Sequence, residues 1–165
     1  MADDFEDLLA ANRDYAATFS LGGFDGIAHA GVAIVTCMDS RIDPLTMVGL
    51  KPGDAKIFRN PGGRVTTAAM EALVLGVHLL NVKRVLIIPH TRCAVASNTA
   101  AELRQRISES SGQDATWMPL NVVEDQVRAL AEDVQKVRSH PLIPDTTLVG
   151  GFLYDVDTGL LSQKV

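Results

Sequence analysis

Gly31-Val32-Ala33-Ile34-Val35-Thr36 runs straight into Cys37-Met38-Asp39-Ser40-Arg41, and Arg84-Val85-Leu86-Ile87-Ile88-Pro89 runs into His90-Thr91-Arg92-Cys93. Each is an apolar, β-branched run followed at once by residues that carry chemistry. Such runs read as strands buried on both faces, as in a parallel sheet. Open α/β sheets place their sites at the carboxyl ends of their strands, so both motifs belong at one end of one sheet. Two thiolates and an imidazole are soft and borderline ligands. That set suits zinc and leaves a fourth position open, as catalytic rather than structural sites do.

The spacing has a physical reason. Cys37 and His90 are far apart, so a strand–helix–strand span has to bring them together. His90 and Cys93 are close enough to bind one ion from a single turn. Asp39 and Arg41 lie two and four residues past Cys37. A carboxylate there can accept a hydrogen bond from water at the metal, and an arginine can hold it ionised through a bidentate pair. Either half alone is commonplace, and buried free thiols often pack as small hydrophobes. The combination, in a chain with only these two cysteines, argues for Cys37, His90 and Cys93 as a ligand set.

At 165 residues with 47% apolar content, residues 1–165 read as one domain with a core that needs no disulfide. Fifteen basic against twenty acidic residues leave a net charge of −5. That argues against a nucleic-acid partner and against a polybasic membrane patch. The acidic start, Met1-Ala2-Asp3-Asp4-Phe5-Glu6-Asp7, has no apolar signal core, and the run from Ala68 to Leu80 is too short to span a bilayer. Two cysteines without a staple suit a reducing compartment, so a cytoplasmic protein is expected.

Further along, helices are expected over 3–18, from Asp43-Pro44, from Thr66 or Thr67, from Ser97 or Asn98 to about Ser110, and over 121–138. The last is expected to be the longest, with Val123, Val127, Leu130, Val134 and Val137 as a plain core stripe. In the helix after Thr66, Leu73, Val77 and Leu80 should face the core. Strands are expected over 55–58, 85–88 and 147–155, and Asp157-Thr158-Gly159 should turn a hairpin into 160–163. The fold class is α/β: a mostly parallel sheet flanked by helices, with an antiparallel edge hairpin. Of the other histidines, His78 and His140 carry no claim, and His29 reads as a solvated loop residue or a proton relay at the site's mouth. Arg92 is either a solvated charge or an attractor of an anionic product. Ser97 lacks a nucleophile-elbow setting.

The chain resembles the β-class carbonic anhydrases of the short kind. Besides both motifs it carries Phe58-Arg59-Asn60-Pro61-Gly62-Gly63 and Gly151-Phe152-Leu153-Tyr154-Asp155 followed by Asp157-Thr158-Gly159, similar to family segments and in the same order. The resemblance implies one Zn2+ per chain on Cys37, His90 and Cys93, an Asp39–Arg41 dyad, and reversible hydration of carbon dioxide to bicarbonate. It makes Gly62 and Gly63 part of the pocket wall. It also implies an opening helix packed on a partner subunit, in a homodimer or dimer of dimers. The family includes carbonyl sulfide and carbon disulfide hydrolases, so carbonyl sulfide is the alternative substrate. A non-catalytic zinc protein with Asp39 closing the fourth position is a second alternative. A redox dithiol ranks last, since there is no Cys-x-x-Cys. Three departures lie near the site: Ala94 stands where the family usually has Gly, Arg92 where short members often have Asp, and Pro61 where Ala is usual. Ala94 counts as a pocket residue and should hold a negative φ.

Overall fold

In the computed structural model, which describes residues 5–165, five strands form one sheet in the order β2-β1-β3-β4-β5. They are β1 (Val32–Cys37), β2 (Ala55–Asn60), β3 (Arg84–Ile88), β4 (Leu148–Tyr154) and β5 (Leu161–Gln163). The first three pairings are parallel and β4–β5 is antiparallel. Every residue of β1 is buried, as its unbroken apolar run requires. Cys37 is the last residue of β1, and β2 runs two residues beyond the expected Phe58. The register pairs Cys37 with Asn60 and Thr36 with Ile88. Three strands therefore end side by side, and the loops that follow them share one end of the sheet.

The helices are α1 (Glu6–Ala17), α2 (Thr67–Leu79), α3 (Ala100–Ser111) and α4 (Gln126–Arg138). Residues 3 and 4 of the expected opening helix lie outside the described residues. Thr66 caps α2 by accepting from the Ala69 N–H. Of the expected stripe on α2 only Leu73 is fully buried; Ala69, Met70 and Gly76 complete the inner face. Gly76 permits close approach, since a Cβ there would meet Val82 Cγ2 at 3.1 Å. A short 3-10 turn, Thr46–Val48, stands where Asp43-Pro44 was expected to open a helix. The start of α3 is set by Thr99 and Glu102, which form a reciprocal capping box, rather than by Ser97 or Asn98.

The helix expected from residue 121 begins only at Gln126, because Asp125 accepts from the Val127 and Arg128 N–H groups and caps it there. At 13 residues it equals α2 and is not the longest. Val123 is buried but lies before the helix, and Val127 is 50% exposed. The true inner face is Ala129, Leu130, Asp133, Val134 and Val137. It rests on β4, where Gly151 leaves room: a Cβ there would sit 2.9 Å from both Leu130 and Val134. The stripe is thus not plain core. Asp133, 4% exposed, accepts from Arg64 Nε at 2.5 Å, Arg64 Nη2 at 3.3 Å and the Val65 N–H at 3.1 Å.

By contrast, Phe5, Leu8, Leu9 and Tyr15 on and beside α1 are all exposed. Among the described residues no helix is long and apolar enough to cross a membrane.

Removing the Asp133 carboxylate would leave the Arg64 guanidinium and a buried N–H without their acceptor. Asp133→Ala should lower unfolding free energy by about 3 kcal/mol, the lower end for a broken buried pair because Arg64 keeps some access to water. Denaturant titration of the two proteins checks this, with Asp133→Asn expected to lose less.

Candidate metal centre

Three elements place the three ligand candidates. Cys37 closes β1. His90 lies two residues past β3, where an isolated parallel bridge to Tyr154 continues the pairing with β4. Tyr154 N–H donates to Pro89 O at 3.0 Å and Thr91 N–H to Tyr154 O at 2.9 Å, so this segment is held as firmly as a strand. The chain then turns at Arg92, whose φ is +54°, and delivers Cys93. The ligand atoms of Cys37, His90 and Cys93 all lie within 4.8 Å of one another, with the two sulfurs 4.0 Å apart. All three residues are buried.

The imidazole shows what the group is built for. His90 Nδ1 lies 2.8 Å from Thr91 O, which can only accept, so Nδ1 carries the proton and Nε2 bears a lone pair. That Nε2 is buried and has no hydrogen-bond partner among the described residues. A buried polar nitrogen without a partner is costly and rare, and a cation between Nε2 and the two sulfurs removes the anomaly. Two sulfurs and one imidazole nitrogen are a zinc donor set. The neighbouring Cys93 sulfur, 4.0 Å away, pulls Cys37 down to about 4 against the opposing effect of burial. Cys93, beside Cys37 and buried as well, is pushed up. A cation favours loss of the second proton.

The loop after β2 supports Cys37. Gly62 has a φ of +84° and its N–H donates to Cys37 Sγ at 3.3 Å. Gly63 has a φ of +66°, and a Cβ there would stand 3.0 Å from Cys37 N, 3.0 Å from Thr36 C and 3.1 Å from Ile88 O. Asn60 pins the loop by accepting from the Arg64 N–H at 2.9 Å and donating to Arg64 O at 2.7 Å. The two glycines thus stand behind the sulfur, one as donor and one as a point of close backbone contact.

Beside this group stands a dyad. Arg41 donates from Nε to Asp39 Oδ1 at 2.9 Å and from Nη2 to Oδ2 at 2.7 Å, and its own N–H adds a third bond to Oδ1 at 3.0 Å. The guanidinium holds the Asp39 carboxyl well below the usual carboxylate range. Asp39 Oδ2 is 3.8 Å from His90 Nε2, so the carboxylate borders the metal position. Apolar Ile42 packs on the two cysteines, with Met47, Val95, Ala96 and Tyr154 around them.

Around and beyond this group lie the remaining candidates. Ala94 is exposed, opens a 3-10 turn whose Val95 and Ala96 pack against the cysteines, and has no positive φ, as expected; the left-handed residue before the turn is Arg92. The Arg92 side chain bonds Asp157 on the β4–β5 turn. His29 precedes β1, whose six residues span about 20 Å. It pairs with Asp25 at 3.2 Å at the far end of the sheet, which removes it as a relay. His78 bonds Leu142 O and His140 accepts from the Leu142 N–H, both away from the ligands. Sequence reasoning missed Gln126, whose Nε2 donates to His90 O at 2.8 Å, and Arg59, which bonds the carbonyls of Cys37 and Asp39. Neither position carries a local signal for these contacts.

The sequence profile of the carbonic anhydrase family matches residues 32–161. β-Carbonic anhydrase 1 of Mycobacterium tuberculosis is 32% identical over 158 residues, covering 96% of this chain and 96% of that protein. A carbon disulfide hydrolase of Acidianus sp. is 28% identical over 154 residues, covering 79% of this chain and 75% of that protein. The crystal structure of a carbonic anhydrase from Streptococcus mutans matches with a TM-score of 0.88 at 32% identity, covering 100% of this chain and 99% of that one.

The close backbone contact at Gly63 gives a test of the support under Cys37. Gly63→Ala combines a left-handed backbone, costing roughly 1–2 kcal/mol for an L-residue, with a methyl driven against two strands. It should lower the melting temperature and loosen metal binding together, read by calorimetry and by competition with a chelator. A variant with unchanged melting and affinity would show that the loop yields without disturbing the sulfur.

Proposed function

The chain belongs to the β-class carbonic anhydrase family, and on that premise we propose that it catalyses the reversible hydration of carbon dioxide to bicarbonate with one zinc ion per chain. Cys37, His90 and Cys93 would hold the ion. The observation that carries this reading is the buried, partnerless His90 Nε2 facing two sulfurs, with an ionised carboxylate at its side. When bound, zinc supplies a Lewis acid that makes water a nucleophile near neutral pH, an effect best known from the three-histidine carbonic anhydrases of unrelated fold.

The chain's own residues do the rest. Arg41 keeps Asp39 in its acceptor form, since both carboxylate oxygens take N–H bonds from it. Asp39 therefore accepts a hydrogen bond from the reacting water and turns its lone pair toward the carbon. The apolar side chains around the cysteines suit a small linear apolar substrate. The anionic product meets those same walls and the charge of Asp39, which favours its release. The proton passes to buffer, for His29, His78 and His140 all lie away from the ligand group.

Attack on carbonyl sulfide by the same apparatus is the second reading, supported by the likeness to carbon disulfide hydrolases. A non-catalytic zinc protein closed by Asp39 is less favoured, because Arg41 already occupies both oxygens. The exposed apolar side of α1 supports a homodimer or dimer of dimers in which a second copy covers it. Two buried thiols used as ligands support a cytoplasmic setting.

Elemental analysis should find one zinc per chain in the wild type and large loss in Cys37→Ser, His90→Ala and Cys93→Ser, whereas Asp39→Asn should keep its metal and lose turnover. The wild type should prefer carbon dioxide over carbonyl sulfide by kcat/KM; the reverse preference makes the second reading the correct one. Light scattering should show a dimer or tetramer at assay concentration, and a fully active monomer would remove the partner-covered helix from the reading.

A further inference from the structure

Beyond Cys37 the chain leaves the sheet, and its last ladder bond there is Met38 N–H to Asn60 O at 3.1 Å. The segment that carries Asp39 is then fixed by a side chain. Arg59 is the next-to-last residue of β2 and stands opposite Thr36 in the register. Its Nε–H donates to Cys37 O at 2.9 Å and its Nη2–H to Asp39 O at 2.6 Å. A guanidinium is planar and presents its donors in a fixed fork. Two carbonyls that meet one fork must face the same way, so this contact sets the 37–38 and 39–40 peptide planes, which bracket Met38 and Asp39. It thereby sets where the Asp39 side chain starts.

Arg41 cannot do this. It orients the Asp39 carboxylate, but it sits two residues further along the same segment and moves with it. Among the described residues its one bond outside the segment, Nη2 to Arg92 O, is 3.4 Å long. Arg59 is rooted in a strand. Its two bonds tie the segment to the sheet end that also positions Cys37.

We infer that Arg59 is the positioning residue for Asp39, acting through the main chain: it anchors the 37–39 segment to β2 and holds the Asp39–Arg41 pair at its distance from the metal ligands. The inference deepens the zinc hydratase reading and rests on it for the purpose of the site.

Cobalt(II)-loaded full-length protein gives a readout separate from turnover, because the visible bands of that ion respond to the donor geometry around it. Arg59→Lys and Arg59→Ala are compared with the wild type, and each is repeated in an Asp39→Asn background. Both single variants should retain metal, alter the cobalt bands and lose about 10- to 100-fold in kcat/KM, the usual effect of disturbing groups behind a metal site. Added guanidinium should move the Arg59→Ala bands back toward wild type. With Asp39→Asn present, the Arg59 substitutions should change the bands no further, as expected of residues acting as one unit. Unchanged bands in both single variants overturn the inference, and so does an equal change in the Asp39→Asn background. If Arg59→Ala fails to fold, Arg59→Lys, which keeps the charge and most of the stem, carries the comparison. A wild type inactive on carbon dioxide and carbonyl sulfide, yet showing the Asp39-dependent band change, would refute the functional reading and leave the positioning role standing.

Discussion

A buried imidazole nitrogen with a free lone pair, set against two sulfurs, is the constraint on which the rest of this structure depends. Such a nitrogen costs stability unless something electrophilic meets it. The fold nevertheless devotes much to keeping it there. Thr91 O takes the Nδ1 proton, Gln126 holds the His90 carbonyl, and the bridge to Tyr154 extends the sheet past the end of β3. Each of these contacts makes sense as preorganisation of a ligand and little sense as packing.

The same logic governs charge. Two potential thiolates and one ionised carboxylate gather at one end of a sheet whose interior is apolar. The opposing positive character comes from fixed donors: the Gly62 N–H on Cys37 Sγ, the Arg41 fork on Asp39, and the Arg59 fork on the loop carbonyls. None of these donors is a ligand. They lower the cost of holding anionic groups close together before a cation arrives, and they leave the Asp39 oxygens aligned by Arg41.

Stability and function share residues here. The loop from Asn60 to Arg64 has to pass behind Cys37 at backbone contact distance, which only glycine permits at position 63. That loop is then locked by Asn60 against the Arg64 main chain and by Arg64 against Asp133 of α4. A buried ion pair is a weak source of net stability but a strong source of geometric definition when its partners are fully bonded. In this case the geometry it defines is the placement of the Gly62 donor.

Much of this was legible from residues alone. Apolar β-branched runs identify β1 and β3 because strand burial is written in consecutive residues. The Cys37–His90–Cys93 group, which could hold a metal, follows from residue type, since few settings place two cysteines and a histidine at strand ends by chance. Asp39 and Arg41 were legible because their contact spans two residues of chain. What failed was of another kind. Residues 121–125 fit a helical period, yet Asp125 is the cap and Val123 lies buried in the loop before it, its N–H donating to Val95 O. Asp133 gives no local sign of its burial; Arg64, 69 residues away, meets it only in the fold. Arg59 stands in the segment similar to the family's, but nothing local shows its partners until the register sets its fork against carbonyls 22 and 20 residues earlier. Sequence by itself determined the strands, the candidate metal-binding group and the family, because those are carried by local periodicity and residue type. Only the tertiary structure decided which charged side chains are buried, which of them hold the site in place, and how the two halves of the site meet, because those contacts form between segments that only folding brings together.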